Sequence, residues 1–204
     1  YRRIRKRLLK RPMIMNNFVK RTISGIGFAA IMLAAFLTNK FIFGAVMLFA
    51  LIVMMWEFLR MTCGKEYRYS QILSIVAGVT LFTLVYLYRG FNFPGRLVIL
   101  AFVPVFILMI NSLYVKDKSR FNKFANLYTA IIYIAVPWSV LNFAAFSAEG
   151  DFNGMLLLCF FAIIWGSDVG AYLFGITLGQ KYGKKLFPSI SPKKSWIGFW
   201  GGML

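Results

Sequence analysis

An all-α, polytopic membrane protein is the fold class this sequence predicts, and three observations predict it. Of its 204 residues 60% are apolar and only 15% charged, more apolar side chains than a soluble core of this length buries. The apolar residues fall into six blocks, each close to the ~20 residues that a helix needs to cross a bilayer. Lysine and arginine, 24 against 6 acids, alternate between the loops with one side heavily favoured.

Residues 1–21 read as a basic cytoplasmic tail. They hold Arg2, Arg3, Arg5, Lys6, Arg7, Lys10, Arg11, Lys20 and Arg21, a topology signal, with attraction of an anionic lipid as the sharper alternative. The apolar run that follows lacks a convincing cleavage site and reads as a retained span, not a signal peptide. Residues 22–204 then form the transmembrane domain, with six complete spans predicted at Thr22–Thr38, Phe41–Leu59, Ser70–Tyr88, Leu97–Val115, Ala125–Ser147 and Gly154–Leu178. The start of a seventh begins near Trp196. Pro104 and Pro137 fall inside spans and are expected to kink them, since neighbouring helices can satisfy the freed carbonyls. The loop charges test this segmentation: the tail and the loops at 60–69, 116–124 and 179–196 hold 21 Lys and Arg, and the intervening loops only Lys40, Arg89 and Arg96. The N-terminus and the 179–196 loop are therefore both expected in the cytoplasm.

The net charge of +18 would suggest nucleic acid in a soluble protein. Here the apolar content makes anionic lipid and topology the better reading, and no basic segment carries a recognisable nucleic-acid-binding fold. Cys63, read as lying in a loop, and Cys159, in a span, have neither metal spacing nor the pattern of a structural disulfide. With no histidine in the chain, acid–base or metal chemistry falls to Asp, Glu or Lys.

The candidate site runs from Trp165 to Gly202. Asp168 stands in the last predicted span, 10 residues from Leu178 and hence about 15 Å from the helix end. A carboxylate at that depth faces a cavity or a partner. The alternative is a structural pair with a buried Lys or Arg, but the other spans hold no mid-membrane basic residue. Tyr172, Gly175 and Gly179 follow on the same helix face, and Gly166/Gly170 and Gly175/Gly179 are small-xxx-small pairs. Close helix packing and a substrate groove both fit these glycines. In Ser191-Pro192-Lys193-Lys194-Ser195, a serine before a proline predicts a helix N-cap and first helical position, with first-turn amides and two ammonium groups forming a phosphate cradle. Two lysines at a membrane boundary are equally a topology signal. Glu57, three residues before Arg60, reads as half of a boundary ion pair.

The run WGSDVGAYLFGITLGQKYGKK…PSISPKKSWIGFWGG resembles the middle of the phosphatidate cytidylyltransferase (CDP-diacylglycerol synthase) family. Asp168, Gly170-Ala171-Tyr172, Gly175, Gly179, Ser191-Pro192-Lys193-Lys194 and Gly201-Gly202 follow the family's order and spacing, and Trp56-Glu57 and the basic start of the first span are similar too. The resemblance implies cytidylyl transfer from CTP to phosphatidate, giving CDP-diacylglycerol and pyrophosphate in phospholipid synthesis. It implies Ser191, Lys193 and Lys194 at the CTP phosphates, Mg²⁺ bridging them, and Asp168 as a catalytic group organising metal or substrate. The metal ligands are left unknown. The partners are then CTP, phosphatidate and membrane lipid, no nucleic acid, with a homodimer allowed, and the location a bacterial inner membrane. Two departures stand out: Ile197 occupies the family's usual Glu position, and a downstream Lys-Asp, His-Gly-Gly, Asp-Arg-Asp signature does not occur. The expectation is that these residues carry the N-terminal and central part of the enzyme, lack part of its active site and show no activity by themselves. A CTP-dependent lipid kinase and an ion-coupled transporter using Asp168 remain as alternatives.

Overall fold

The computed structural model describes residues 11–115, 121–180 and 183–203, with side chains from residue 23 onward except that of Lys193. The first ten residues of the tail, and Lys116, Lys118, Arg120 and Lys181 of the charge count, lie outside the described residues. The chain divides into two units, Tyr1–Gly154 and Met155–Leu204.

In the first unit, α1 (Arg11–Leu37) and α2 (Lys40–Cys63) meet at Asn39. Its side-chain oxygen accepts from the amides of Phe41 and Ile42 at 3.1 and 3.0 Å, an N-cap that starts α2. Gly64 ends it with φ 64, the left-handed geometry in which glycine meets no Cβ penalty. Cys63, predicted in a loop, is the buried last residue of α2. α3 (Arg68–Gly90) follows, then a 3₁₀ stretch (Gly95–Ala101) leading into α4 (Phe102–Leu113). A further 3₁₀ turn (Phe121–Phe124), α5 (Ala125–Ala130), a π turn (Ile131–Ala135) and α6 (Val136–Ala145) form one continuous span.

The predicted proline kinks take the form of changes in helix type. Pro104 falls in the first turn of α4, just after the 3₁₀ stretch, where a missing N–H costs little. Pro137 cannot bond the carbonyl four residues back and its ring crowds it. The π turn stands directly ahead of it, with the Val136 amide reaching Ile131 O, five residues back. That wider turn accommodates the ring without breaking the span.

Polar side chains tie these helices together in the way membrane interiors favour. The Ser70 hydroxyl donates to Asn111 Oδ1 at 2.5 Å, Ser74 to Leu127 O at 2.8 Å, and the Trp138 indole to Met47 O at 2.8 Å. At one end of the bundle Lys123 pairs with Glu66 at 3.2 Å. At the other, Lys40 donates to Gly90 O at 3.0 Å and Arg89 to Phe146 O and Ser147 O at 2.9 Å. Two of the three cations on the sparsely charged side thus hold helix ends, where carbonyls lack helical partners.

The molecule is an integral membrane protein by the length and apolarity of its helices. Among the described residues five stretches are long and apolar enough to cross a bilayer: Lys40–Cys63, Arg68–Gly90, Gly95–Leu113, Phe121–Ala145 and Met155–Gly179. The predicted span Thr22–Thr38 falls in the last part of α1, where the described side chains form the apolar stretch Ile23–Leu37. Large apolar side chains face outward along them, among them Phe49 at 69% exposure and Leu113 at 78%, a surface that water would not tolerate and lipid solvates.

The second unit begins with α7 (Met155–Phe174), extended by a π turn (Gly175–Gly179). A hairpin of β1 (Lys185–Phe187) and β2 (Ser191–Ser195) follows, then α8 (Trp196–Met203). The hairpin is an addition to the predicted all-α class. α8 folds back on α7 through glycine: a Cβ at Gly170 would overlap the Gly201 carbonyl, and one at Gly198 would stand 3.0 Å from Ala171 O. Where the backbones touch, the Ser167 hydroxyl donates to Gly202 O at 2.6 Å.

Candidate functional site: a cavity between the end of α7 and the lysine strand

Within the second unit a cavity of about 660 Å³ opens between the C-terminal turns of α7, the hairpin and the start of α8. That volume lies inside the ~300–1,000 Å³ range of small-molecule sites. Of the predicted site residues, Tyr172, Gly175, Ser191 and Lys194 line it, joined by Gln180, Ser195 and Phe199. Three consecutive elements therefore bring an ammonium, hydroxyls and a carboxamide to an otherwise apolar hollow.

SPKKS reaches this place as a strand, which corrects the predicted helix start. Ser191–Ser195 pairs antiparallel with Lys185–Phe187, matching Lys185 to Ser195 and Phe187 to Ser191. The turn between them closes with the Ile190 amide on Phe187 O at 3.2 Å. Pro192, with no N–H to give, is tolerated at the edge of a two-stranded sheet. Three residues, Pro192 to Lys194, stand opposite the single Leu186, an irregularity of the kind that bends a strand and re-aims its side chains. The Lys194 side chain is exposed; that of Lys193 lies outside the described residues.

The helix N-cap is Ser195, not Ser191. Its Oγ accepts from the Gly198 amide at 3.2 Å, and the Trp196 amide donates to Lys184 O at 3.0 Å. Two of the first three amides of α8 are thus already bonded within the chain, which leaves the lysine side chain, rather than a row of free amides, as the cationic element here. Ser195 is 3% exposed and sits in a glycine socket. A Cβ at Gly179 would overlap its hydroxyl, and one at Gly183 would come 3.0 Å from its Cβ. Gly179, predicted in a groove, is buried and packs the cap instead; Gly175 both lines the cavity and lies against Gly198.

Asp168 is not in the cavity lining. It is exposed on α7, four residues or about 6 Å before Tyr172, and has no hydrogen-bonding or ion-pair partner among the described residues. The structural pair with Lys or Arg is therefore not made within them. Glu57 is likewise exposed without its expected ion pair: Arg60 stands over the Trp56 ring, 6.0 Å from its centroid. Ile197 is half-buried in the first turn of α8. No group of three His, Cys, Asp or Glu is assembled among the described residues, so they do not by themselves fit the Mg²⁺ that the resemblance implied.

The profile of the cytidylyltransferase family matches residues 19–204. A phosphatidate cytidylyltransferase of Rickettsia felis is 34% identical over 145 residues, covering 69% of this chain and 56% of that protein. One of Rickettsia bellii is 40% identical over 78 residues, covering 38% and 31%, and one of Pseudomonas aeruginosa 25% identical over 150 residues, covering 72% and 52%. The matched segments thus span from about a third to just over half the length of these relatives. No solved structure matches the chain.

Proposed function

The chain belongs to the cytidylyltransferase family, and from that premise we propose that it serves cytidylyl transfer from CTP to phosphatidate, with the cavity beside Lys194 taking the nucleotide. A phosphatidate oxygen attacks the α-phosphorus of CTP, the bond from that phosphorus to the β-phosphate oxygen breaks, and pyrophosphate leaves with CDP-diacylglycerol as product. The observation that carries the reading is the convergence of Tyr172, Gly175, Ser191 and Lys194, all from the matched segment, on one cavity of small-molecule size. Chemistry of this kind depends on positioning and on neutralising phosphate charge. Lys194 supplies charge, Ser191 and Ser195 supply hydroxyls, and the glycine socket fixes the strand that carries them. Lys193 is assigned to the same phosphates from its place in the motif. Mg²⁺ is part of the proposal as the metal such triphosphate chemistry takes; since the described residues do not build its ligand set, no step is drawn through it. Asp168, one turn deeper, is assigned to organising substrate from the membrane side.

The test uses a protein that carries the downstream signature as well, with CTP labelled on either the α- or the γ-phosphorus and phosphatidate as acceptor. Label from the α position alone should enter the lipid product. Transfer of γ-label to lipid would identify a kinase and overturn the proposal.

The charge asymmetry supports an inner-membrane orientation with the N-terminus and the lysine strand in the cytoplasm. Ser119, a natural labelling position for that side, lies outside the described residues, so Lys65 in the α2–α3 connection serves instead. In a background lacking Cys63 and Cys159, cysteine at Lys65 should be shielded from a membrane-impermeant thiol reagent in intact cells, and cysteine at Asp151 should react. Reaction of both from the same side would refute the orientation.

A further inference from the structure

We infer that the first unit holds one acyl chain of an ester-linked glycerolipid in a crevice between α3, α4 and the π-turned α5–α6 span, at a distance in sequence from the nucleotide cavity. The crevice encloses about 320 Å³ and is lined by Ala77 and Leu81 of α3, Ala101 and Val105 around the start of α4, and Tyr128 and Ile131 ahead of Pro137. Its floor is small and closed, with Ala77 at 1% and Ala101 at 6% exposure. Its rim is open, with Phe102 at 60%, Ile132 at 68% and Val136 at 41%. The opening therefore faces sideways, among apolar side chains that belong to membrane-spanning helices.

What fills it follows from the solvent on that side. An apolar hollow at this depth offers water no partners, and the liquid outside its mouth is hydrocarbon. The crevice also has the reach of a chain. Ala77 and Leu81 lie nine and thirteen residues past Arg68, about 14 and 20 Å along α3, so the hollow extends to the middle of a ~30 Å hydrocarbon core.

Tyr128 points to the ligand independently. It lies seven residues into a 25-residue span, longer than the ~20 a bilayer requires, which puts its backbone about 7 Å inside the hydrocarbon boundary, with the side chain leaning back toward the start of the helix. It is half-buried in the crevice wall, and its hydroxyl, with no hydrogen-bond partner among the described residues, is free to donate to a ligand there. The ester carbonyls of a glycerolipid sit at that boundary and accept hydrogen bonds. With the phenol donating to an ester, the attached chain would descend past Ala77 to Ala101. The π turn required by Pro137 widens the helix between these two places, giving the insertion a structural role beyond accommodating the ring.

The experiment places the protein in nanodiscs with a glycerolipid carrying a photoreactive diazirine at mid-chain and maps the labelled peptides by mass spectrometry. Labelling should concentrate on Ala77, Leu81, Val105 and Ile131, several-fold above Phe49 on α2 and Leu113 at the end of α4, which are exposed away from the crevice. Leu81→Trp, and Ala77→Phe as a second filling variant, should abolish that excess and leave Phe49 labelling unchanged. An ester-linked probe should outcompete its ether-linked analogue by roughly two- to tenfold, the size of one neutral hydrogen bond, and Tyr128→Phe should erase the preference. Probes built on phosphatidate and on phosphatidylglycerol should label the crevice equally, since both carry the same acyl chain and ester; a several-fold excess with either headgroup would overturn recognition through the chain and ester alone. Crevice labelling no greater than at Phe49, or unchanged in both filling variants, would overturn the site; an ester preference that survives Tyr128→Phe would overturn the hydrogen bond.

Discussion

Lys194→Ala should lower CTP use by the complete enzyme ten- to a hundredfold, while Lys65→Ala changes it by less than about fivefold. A hydrogen bond between an ammonium and a phosphate is worth ~1.5–3 kcal/mol, and the loss appears in kcat/KM to the extent that the contact exists in the transition state. Lys65 is as basic and as exposed, but it sits in the connection before α3, where a solvated charge contributes ~1 kcal/mol at most. Lys194→Arg should recover part of the loss, because charge is kept while the point-like ammonium is replaced by a wider fork. Equal losses at Lys194 and Lys65 would mean that only the summed charge of the membrane face matters.

Gly170→Ala should destabilise the second unit by about 1–3 kcal/mol, as overpacking of a tight interface does, and Gly166→Ala should not. The two form one small-xxx-small pair in the sequence, yet they are not equivalent. A Cβ at Gly170 would overlap the backbone carbonyl of Gly201, which cannot rotate away, whereas one at Gly166 meets nothing within 4 Å. At Gly166 the change even favours the helix by up to ~1 kcal/mol. Thermal unfolding of the two variants in detergent separates them: a lower Tm for Gly170→Ala with Gly166→Ala at or above wild type is expected, and a drop of the same size in both would refute the α7–α8 contact. Gly179→Ala should behave like Gly170→Ala, because it displaces the Ser195 cap.

The spans were legible in the sequence because burial in lipid leaves an unambiguous trace: long apolar blocks with the lysines and arginines sorted to one side. The site was legible in part. Tyr172, Gly175, Ser191 and Lys194 converge on one cavity, but SPKKS is a strand and not a helix start, since Ser191-Pro192 and Ser195-Trp196 both satisfy the pattern of a helix start and only the second is one. The signal that distinguishes them was present: Ser195 directly precedes the apolar run of α8, which is where an N-cap belongs. Gln180 and Phe199 went unnoticed because nothing in their spacing marks them; they reach the cavity only through the fold-back of the hairpin. The change to π geometry before Pro137 also escaped, since proline announces a disturbance without specifying how the helix absorbs it.

The central claim is that the triphosphate binds beside Lys194, and lysine footprinting tests it without relying on turnover. The protein in lipid nanodiscs is exposed briefly to an amine-acylating reagent with and without CTP, and modification is quantified at each lysine by mass spectrometry. CTP should protect Lys194 and leave Lys65 and Lys185 unchanged, with no protection by inorganic sulfate at equal ionic strength. Modification of Lys194 that is indifferent to saturating CTP would contradict the assignment of the cavity.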